Sequence, residues 1–304
     1  MSNRRGFALV AVLWALVLTA ALAAELHTGV RADQRVTANA RASARARWAA
    51  RAGFARMSEA LRSKLAVSAA TGALVLRDTL VVPAQEFEVD RVHVRATVVD
   101  ARSKLSLNTA TPDELRALFA AVGYGPEDAA RLALAVDRWR SEHLPAFENA
   151  PADSLRERFR PPRGAFASVE ELQGVPGVSR AAYASASPHL TVSSDGRINL
   201  NTAPVPVLLT LPGIEDEGAR ALVERRRESP FLSPYEVLGA LPRFRREEAQ
   251  ARLPELIART AFVPREAEVR VTARQPGTAV GSTIRAVAVM PGGPRVPILG
   301  VVER

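Results

Sequence analysis

Four turns in this 304-residue chain could present backbone N–H groups to an anion. The sharpest is Leu211-Pro212-Gly213-Ile214, where a glycine turn would aim consecutive N–H groups at a phosphate and the next helix N-terminus would add a favourable dipole. Three carboxylates follow at once, Glu215, Asp216 and Glu217, and would repel the phosphate. Gly123-Tyr124-Gly125 keeps two glycines but runs into Glu127 and Asp128, Gly177-Val178-Ser179 is intermediate, and Leu241-Pro242-Arg243 has no glycine. Enzymatic chemistry has less support still. His27, His93, His143 and His189 are scattered, with no two at metal-ligand or triad spacing. No cysteine is present, which removes disulfides, thiolate metal sites, a cysteine nucleophile and a lipoprotein anchor together. No P-loop or dinucleotide fingerprint occurs, and the glycine pair after Pro291 sits between strand-like runs where a turn suffices. Glu148, Asn149 and Asp153 form the one loop with calcium-ligand spacing, for which solvation is the simpler reading. The expectation is no catalytic residue, no cofactor and no metal.

The turns lie inside an internal duplication. Lys104 opens KLSLNTATPDELRALFAAVGYGPEDAARL and Arg197 opens RINLNTAPVPVLLTLPGIEDEGARAL, each a short apolar strand followed by Asn-Thr-Ala. In the first copy Thr111, Pro112 and Glu114 make a capping box with proline at the first helical position, and Pro204 is expected to act similarly in the second. A second matching piece follows each copy, FASVEELQGVPGV from Phe166 and FLSPYEVLGALPRF from Phe231, with Ser168/Glu171 and Ser233/Glu236 predicted to repeat the box. Two units, each a strand plus a helical hairpin, are implied. Period-two patterns flank them. LVLRDTLVV from Leu74 and FEVDRVHVRATVVDARSKLSL from Phe87 precede the helical stretch, while AEVRVTAR from Ala267, STIRAVAVM from Ser282 and RVPILGVV from Arg295 follow it. The economical topology is one half-exposed sheet whose strands lie on either side of a large helical insertion.

The amino terminus reads MSNRRG and then FALVAVLWALVLTAALAA, eighteen residues without a charge. As a helix this stretch is about 27 Å long, the thickness of a hydrocarbon core. A cleaved secretory signal ending near Ala21-Leu22-Ala23, a plain membrane anchor, and a short basic leader cut after Gly6 all fit its composition. No proline occurs before Pro83, and Gly29 and Gly53 are the only weak points between residues 25 and 64, so one helix from Phe7 to about Lys64 is predicted. It would run roughly 90 Å and needs a packing partner. Arg31 and Arg35 beyond the apolar stretch partly offset Arg4 and Arg5, so the rule of positive charge inside orients the span only weakly. Net charge is +9 with a pI near 11.0. That balance suggests nucleic acid or an anionic membrane. Yet Lys64 and Lys104 are the only lysines, and the arginines are spread along the chain near Asp or Glu, which reads as a solvated surface.

Such a spine, apolar first and amphipathic later, resembles the N-terminal helix of the type IV pilin superfamily, with Gly6 and Phe7 at the prepilin peptidase site. The fifth mature residue, usually glutamate there, is Ala11 here. A carboxylate inside a bilayer is costly unless paired, and in pilins it is thought to meet a neighbour's N-terminal ammonium. An apolar residue at this place resembles the K-class minor pseudopilins of type II secretion systems, thought to sit at the fibre tip. Leu211, Pro212, Gly213 and Ile214 resemble a helix-hairpin-helix motif, and the K class is known for a domain of this hairpin type inserted in a pilin sheet. The resemblance implies an α+β fold: a long membrane-spanning helix, then a pilin-like antiparallel sheet interrupted by duplicated helix-hairpin-helix-like units. It divides the chain into a leader (1–6), a transmembrane part (7–24), its amphipathic continuation (25–66), sheet segments (67–103 and 259–304) and a helical insertion (104–258). It implies a non-catalytic tip subunit of the pseudopilus in the bacterial inner membrane with its globular part in the periplasm. The implied partners are the I- and J-class minor pseudopilins and the prepilin peptidase, with no nucleic acid. The rival is a membrane-anchored helix-hairpin-helix DNA receptor of the competence type, which also carries an Asn-Thr-Ala start and a Leu-Pro-Gly-Ile hairpin after one apolar segment.

Overall fold

A computed structural model describes residues 3–71, 84–141, 164–289 and 298–303. Helix α1 (Asn3–Thr71) is continuous over 69 residues, about 100 Å. Its proline-free, alanine- and arginine-rich sequence gives nothing to break it. Its second half lies on a five-stranded antiparallel sheet built from β1 (Gln85–Val89), β2 (Val92–Asp100), β7 (Glu266–Arg274), β8 (Gly281–Val289) and β9 (Ile298–Glu303), in the order β1-β2-β7-β8-β9. The turn between β1 and β2 takes positive φ at both Asp90 (48°) and Arg91 (62°), as a two-residue hairpin requires.

Ala49, Ala50, Met57 and Leu61 recur at helical spacing and bury against Val92, Val94, Ala96, Val98, Val269, Val271, Ile284 and Ala286, the inward alternate residues of β2, β7 and β8. The small side chains let helix and sheet approach closely. Gly53, which looks like a weak point in the sequence, is required for that approach: a Cβ there would lie 2.7 Å from Val94 Cγ1 and 2.8 Å from Val271 Cγ1. The guanidinium of Arg56 seals one side of this core, 4.6 Å above the Phe87 ring.

The neighbours β2 and β7 are far apart in sequence, and the chain between them folds around a second, larger apolar core. Its elements are β3 (Leu105–Ser106), α2 (Pro112–Ala121), α3 (Pro126–Ser141), α4 (Arg180–Ala186), β4 (Leu190–Thr191), β5 (Ile198–Asn199), α5 (Val205–Leu208), α6 (Asp216–Glu228), α7 (Tyr235–Ala240), α8 (Arg246–Ala251), α9 (Leu253–Arg259) and β6 (Thr260–Ala261). The strand-like run from Leu74 to Val82, the calcium-spaced loop of Glu148, Asn149 and Asp153, the glycine pair after Pro291 and His143 lie outside the described residues.

Candidate functional site

The helical region is two copies of one hydrogen-bonded frame. In the first, β3 runs parallel to β4, with Leu105 beside Leu190; in the second, β5 runs parallel to β6, with Ile198 beside Thr260. The Asn-Thr-Ala after each opening strand makes the same turn, the Ala110 N–H donating to Ser106 and the Ala203 N–H to Asn199, both at 2.9 Å. Asn108 then clamps a distant backbone: its Nδ2 donates to Phe166 O (2.9 Å) and its Oδ1 accepts from Phe166 N (2.7 Å). Asn201 does the same to Phe231 at 2.9 and 2.7 Å and adds a bond from Nδ2 to Phe262 O. A single arginine closes each turn, Arg140 donating to Leu107 O and Ala110 O, Arg226 to Leu200 O and Ala203 O. The preceding residue covers the clamped phenylalanine in both copies, Trp139 stacked on Phe166 and Arg225 over Phe231. These side chains satisfy backbone groups that the core would otherwise bury unpaired.

The copies differ at their caps and hairpins. Thr111 and Glu114 form the predicted box, with Pro112 at the first helical position. Pro204 does not match it: it occupies the cap itself, with no side-chain bond. Ser168 and Ser233 also depart from the prediction. Ser168 caps a 3-10 turn (Val169–Gly174) without a side-chain bond, and Pro234 is the cap residue of α7. Glu171 and Glu236 instead accept from the N–H of Ala167 and Leu232, each at 3.3 Å, so both second pieces keep the glutamate contact and lose the serine one. In the Leu211-Pro212-Gly213-Ile214 hairpin, Leu211 and Ile214 are buried and Gly213 takes φ 71°. A Cβ on Gly213 would stand 3.4 Å from Ala249 Cα, because α8 packs against that turn. Gly177 has φ 90° and Gly123 φ 102°, and neither would meet an atom within 4 Å. Glu215, Asp216 and Glu217 are exposed at the start of α6.

A polar seat joins this region to the sheet. Asp100, 3% exposed at the end of β2, accepts from Asn199 Nδ2 (2.8 Å), Thr202 Oγ1 (2.7 Å) and Arg102 N (2.9 Å). Burial pushes its carboxyl above the ordinary range against the opposing pull of these bonds. Arg102 forks onto Asp195, with Nε at 3.1 Å and Nη2 at 2.5 Å, and its Nη1 donates to Val263 O. Burial would raise Asp195, but the Arg102 fork, the Arg197 N–H and the charges of both arginines together hold this carboxyl low. Glu268 of β7 accepts from Lys104 and Thr191, both at 2.5 Å. Glu266, whose Oε2 is buried without a hydrogen bond, is pushed up by burial despite Arg102 at 3.9 Å. Further out, Arg285 of β8 pairs with Glu170. Arg259 at the end of the second unit forks onto Glu114 of the first, tying the copies together.

Two family models, both of type II secretion system protein K, match residues 91–195 and 198–254, together more than half of the chain and nearly the whole of both units. The chain belongs to the type II secretion system protein K family. Its fold is also similar to a chain in the crystal structure of the GspK-GspI-GspJ complex from the type 2 secretion system of enterotoxigenic Escherichia coli. The match has a TM-score of 0.57 at 14% identity and covers 84% of this chain and 96% of that one. No curated protein matches the chain.

In this protein K chain the residues singled out from sequence fall into two groups. Gly6, Phe7 and Ala11 lie on the backbone of α1, and their side chains are outside the described residues. The four hairpin residues sit in the second unit as described. Among the described residues no helix is long and apolar enough to cross a membrane and no acidic or histidine cluster could hold a metal. His93 is exposed on the sheet and His189 half-buried near Lys104, far apart in the fold. The bonding roles of Asn108, Asn201, Arg140 and Arg226 were not read from sequence, although alignment of the two copies carries the signal, since both asparagines stand in the shared Asn-Thr-Ala. Asp100, Arg102, Asp195 and Glu268 have no local signature at all.

Proposed function

We propose that this chain is a non-catalytic minor pseudopilin that forms the tip complex of a type II secretion pseudopilus together with I- and J-class minor pseudopilins. The observation that carries this reading is the pair of protein K matches over both hairpin units, on a sheet threaded by one long helix. Residues 1–6 are the prepilin leader, cut between Gly6 and Phe7; residues 7–24 hold the subunit in the inner membrane; and 25–66, the sheet segments (67–103 and 259–304) and the insertion (104–258) face the periplasm. Val12, Leu13, Trp14, Leu16, Val17 and Leu18 support the anchor: they are apolar, point all round the helix, and are each more than half exposed. Such a surface needs lipid or neighbouring helices to cover it. An alanine at position 11 fits a subunit with no neighbour above it, for which a glutamate buried in the membrane would have no ammonium to meet.

The competence-type DNA receptor has less in its favour. Ala249 covers the best hairpin and three carboxylates stand where a phosphate would dock. N-terminal sequencing of the protein from the membrane fraction tests the leader: a mature start at Phe7 is expected, and a start at Ala24 would remove the anchor and with it the pseudopilin reading. Gly6→Val should block processing while leaving the chain in the membrane. Co-expression with I- and J-class pseudopilins should yield a complex of one copy each.

A further inference from the structure

The sheet has a second face, turned away from α1. Because Val92, Val94, Ala96 and Val98 point inward, His93, Arg95, Thr97 and Val99 point outward, and the register aligns Arg274 with His93, Thr272 with Arg95 and Arg270 with Thr97. Across the next strand pair Arg285 stands directly opposite Arg270, a like-charge pairing that is unfavourable in a sheet. In the helical region several arginines are balanced within a turn of helix, as in Arg116–Asp113, Arg131–Asp128, Arg220–Asp216 and Arg252–Glu255. On the sheet, Glu170 reaches Arg285, and Glu86 lies 3.5 Å from Arg95. Arg270 and Arg274 meet no carboxylate among the described residues. They are exposed, share one face, and lie four residues apart along β7, about 13 Å. Thr97, Thr272 and Thr283 floor the strip between the cations, and a shallow cleft of about 670 Å³ runs over Arg95, Thr272 and Arg274 to Glu86 and Glu88 of β1.

We propose that this face docks an acidic protein segment lying extended along β7, with two carboxylates on one side of the segment meeting Arg270 and Arg274. The spacing suits a strand-like peptide, whose residues i and i+4 project from the same side about 13 Å apart. The threonines supply hydroxyls at the level of its backbone. The flanking carboxylates Glu86 and Glu88 separate a protein from a polyanion: a phosphodiester chain or an anionic lipid surface would press uniform negative charge onto them, whereas a peptide can set a neutral or basic residue there.

The probe is a fluorescein-labelled decapeptide of alternating Glu and Ser, titrated in low-salt buffer with the full chain in detergent micelles. Saturable binding is expected. Arg270→Ser with Arg274→Ser should weaken it at least about tenfold, the lysine pair at the same positions should retain most of it, and Arg116→Ser with Arg252→Ser should leave it within about twofold. Melting curves unchanged from wild type establish that the exposed sheet variants fold. Three results overturn the proposal: no saturable binding, equal losses from the two serine pairs (net charge alone), or tighter capture of duplex DNA or phosphatidylglycerol vesicles than of the peptide through the same two arginines.

Discussion

The two hairpin units share a frame and differ in what that frame displays. Asn108 and Asn201, Arg140 and Arg226, Phe166 and Phe231 make the same bonds in both copies, whereas the first unit leaves Gly177 and Gly123 open and the second packs Gly213 under Ala249. The frame consists of buried backbone groups that must find partners, so it persists wherever the fold does. The hairpin tips carry no such obligation. In the second unit Ala249 closes on Gly213 and Glu215, Asp216 and Glu217 follow, whereas in the first Gly177 stands open and is followed by Ser179 and Arg180.

The largest effect that tests this symmetry comes from the clamps. Asn201→Ala strands three backbone groups in a buried place and should lower the stability of the full chain by about 2–4 kcal/mol in chemical denaturation. Asn108→Ala strands two groups in a half-buried place and should cost about 1–2 kcal/mol. Equal costs would mean that the extra bond to Phe262 contributes nothing.

A smaller contrast separates the hairpins. Gly213→Ala combines a left-handed backbone with a tight approach to Ala249 and should destabilise by about 1–2 kcal/mol, whereas Gly177→Ala meets only the backbone strain, about 1 kcal/mol. On DNA the two hairpins should behave alike: wild type should bind a duplex no better than its charge dictates, with Kd about 10⁻⁴ to 10⁻⁶ M at physiological salt. Nanomolar binding abolished by Gly213→Asp would restore the DNA-receptor reading.

The smallest effect concerns the seat on the sheet. Burial raises the Glu266 carboxyl, so its contribution is intact below the ordinary glutamate value and is lost as pH rises through the raised one. Asp195 is held low by Arg102 and Arg197 and acts oppositely, its contribution being present above the ordinary aspartate value and lost as pH falls through the lowered one. Glu266→Gln should therefore flatten the fall in melting temperature as pH rises above about 4.5. An unchanged slope would show that Glu266 is solvated.

Much of the architecture was legible because local patterns imposed it. Period-two runs gave β1, β2, β7, β8 and part of β9, and the proline-free stretch gave α1. The capping box at Thr111 rests on residues three apart and needs no tertiary information. Where the third dimension intervened, the reading failed. Ser168 and Ser233 follow the same local rule, yet their glutamates turn back to the residue before the serine, and Pro204 takes the cap rather than the first turn. Gly53 looked like a defect because only the neighbouring strand reveals why no side chain fits. Asp100 and Asp195 owe their roles to partners from distant loops, which spacing cannot show.

Placement at the fibre tip is tested most directly by electron microscopy of pseudopili carrying an antibody label on the helical region. If a helical region of this bulk is too wide to stack repeatedly within a thin fibre, label is expected at one end only, and Ala11→Glu should not create a self-assembling subunit. Regular decoration along the shaft would contradict it.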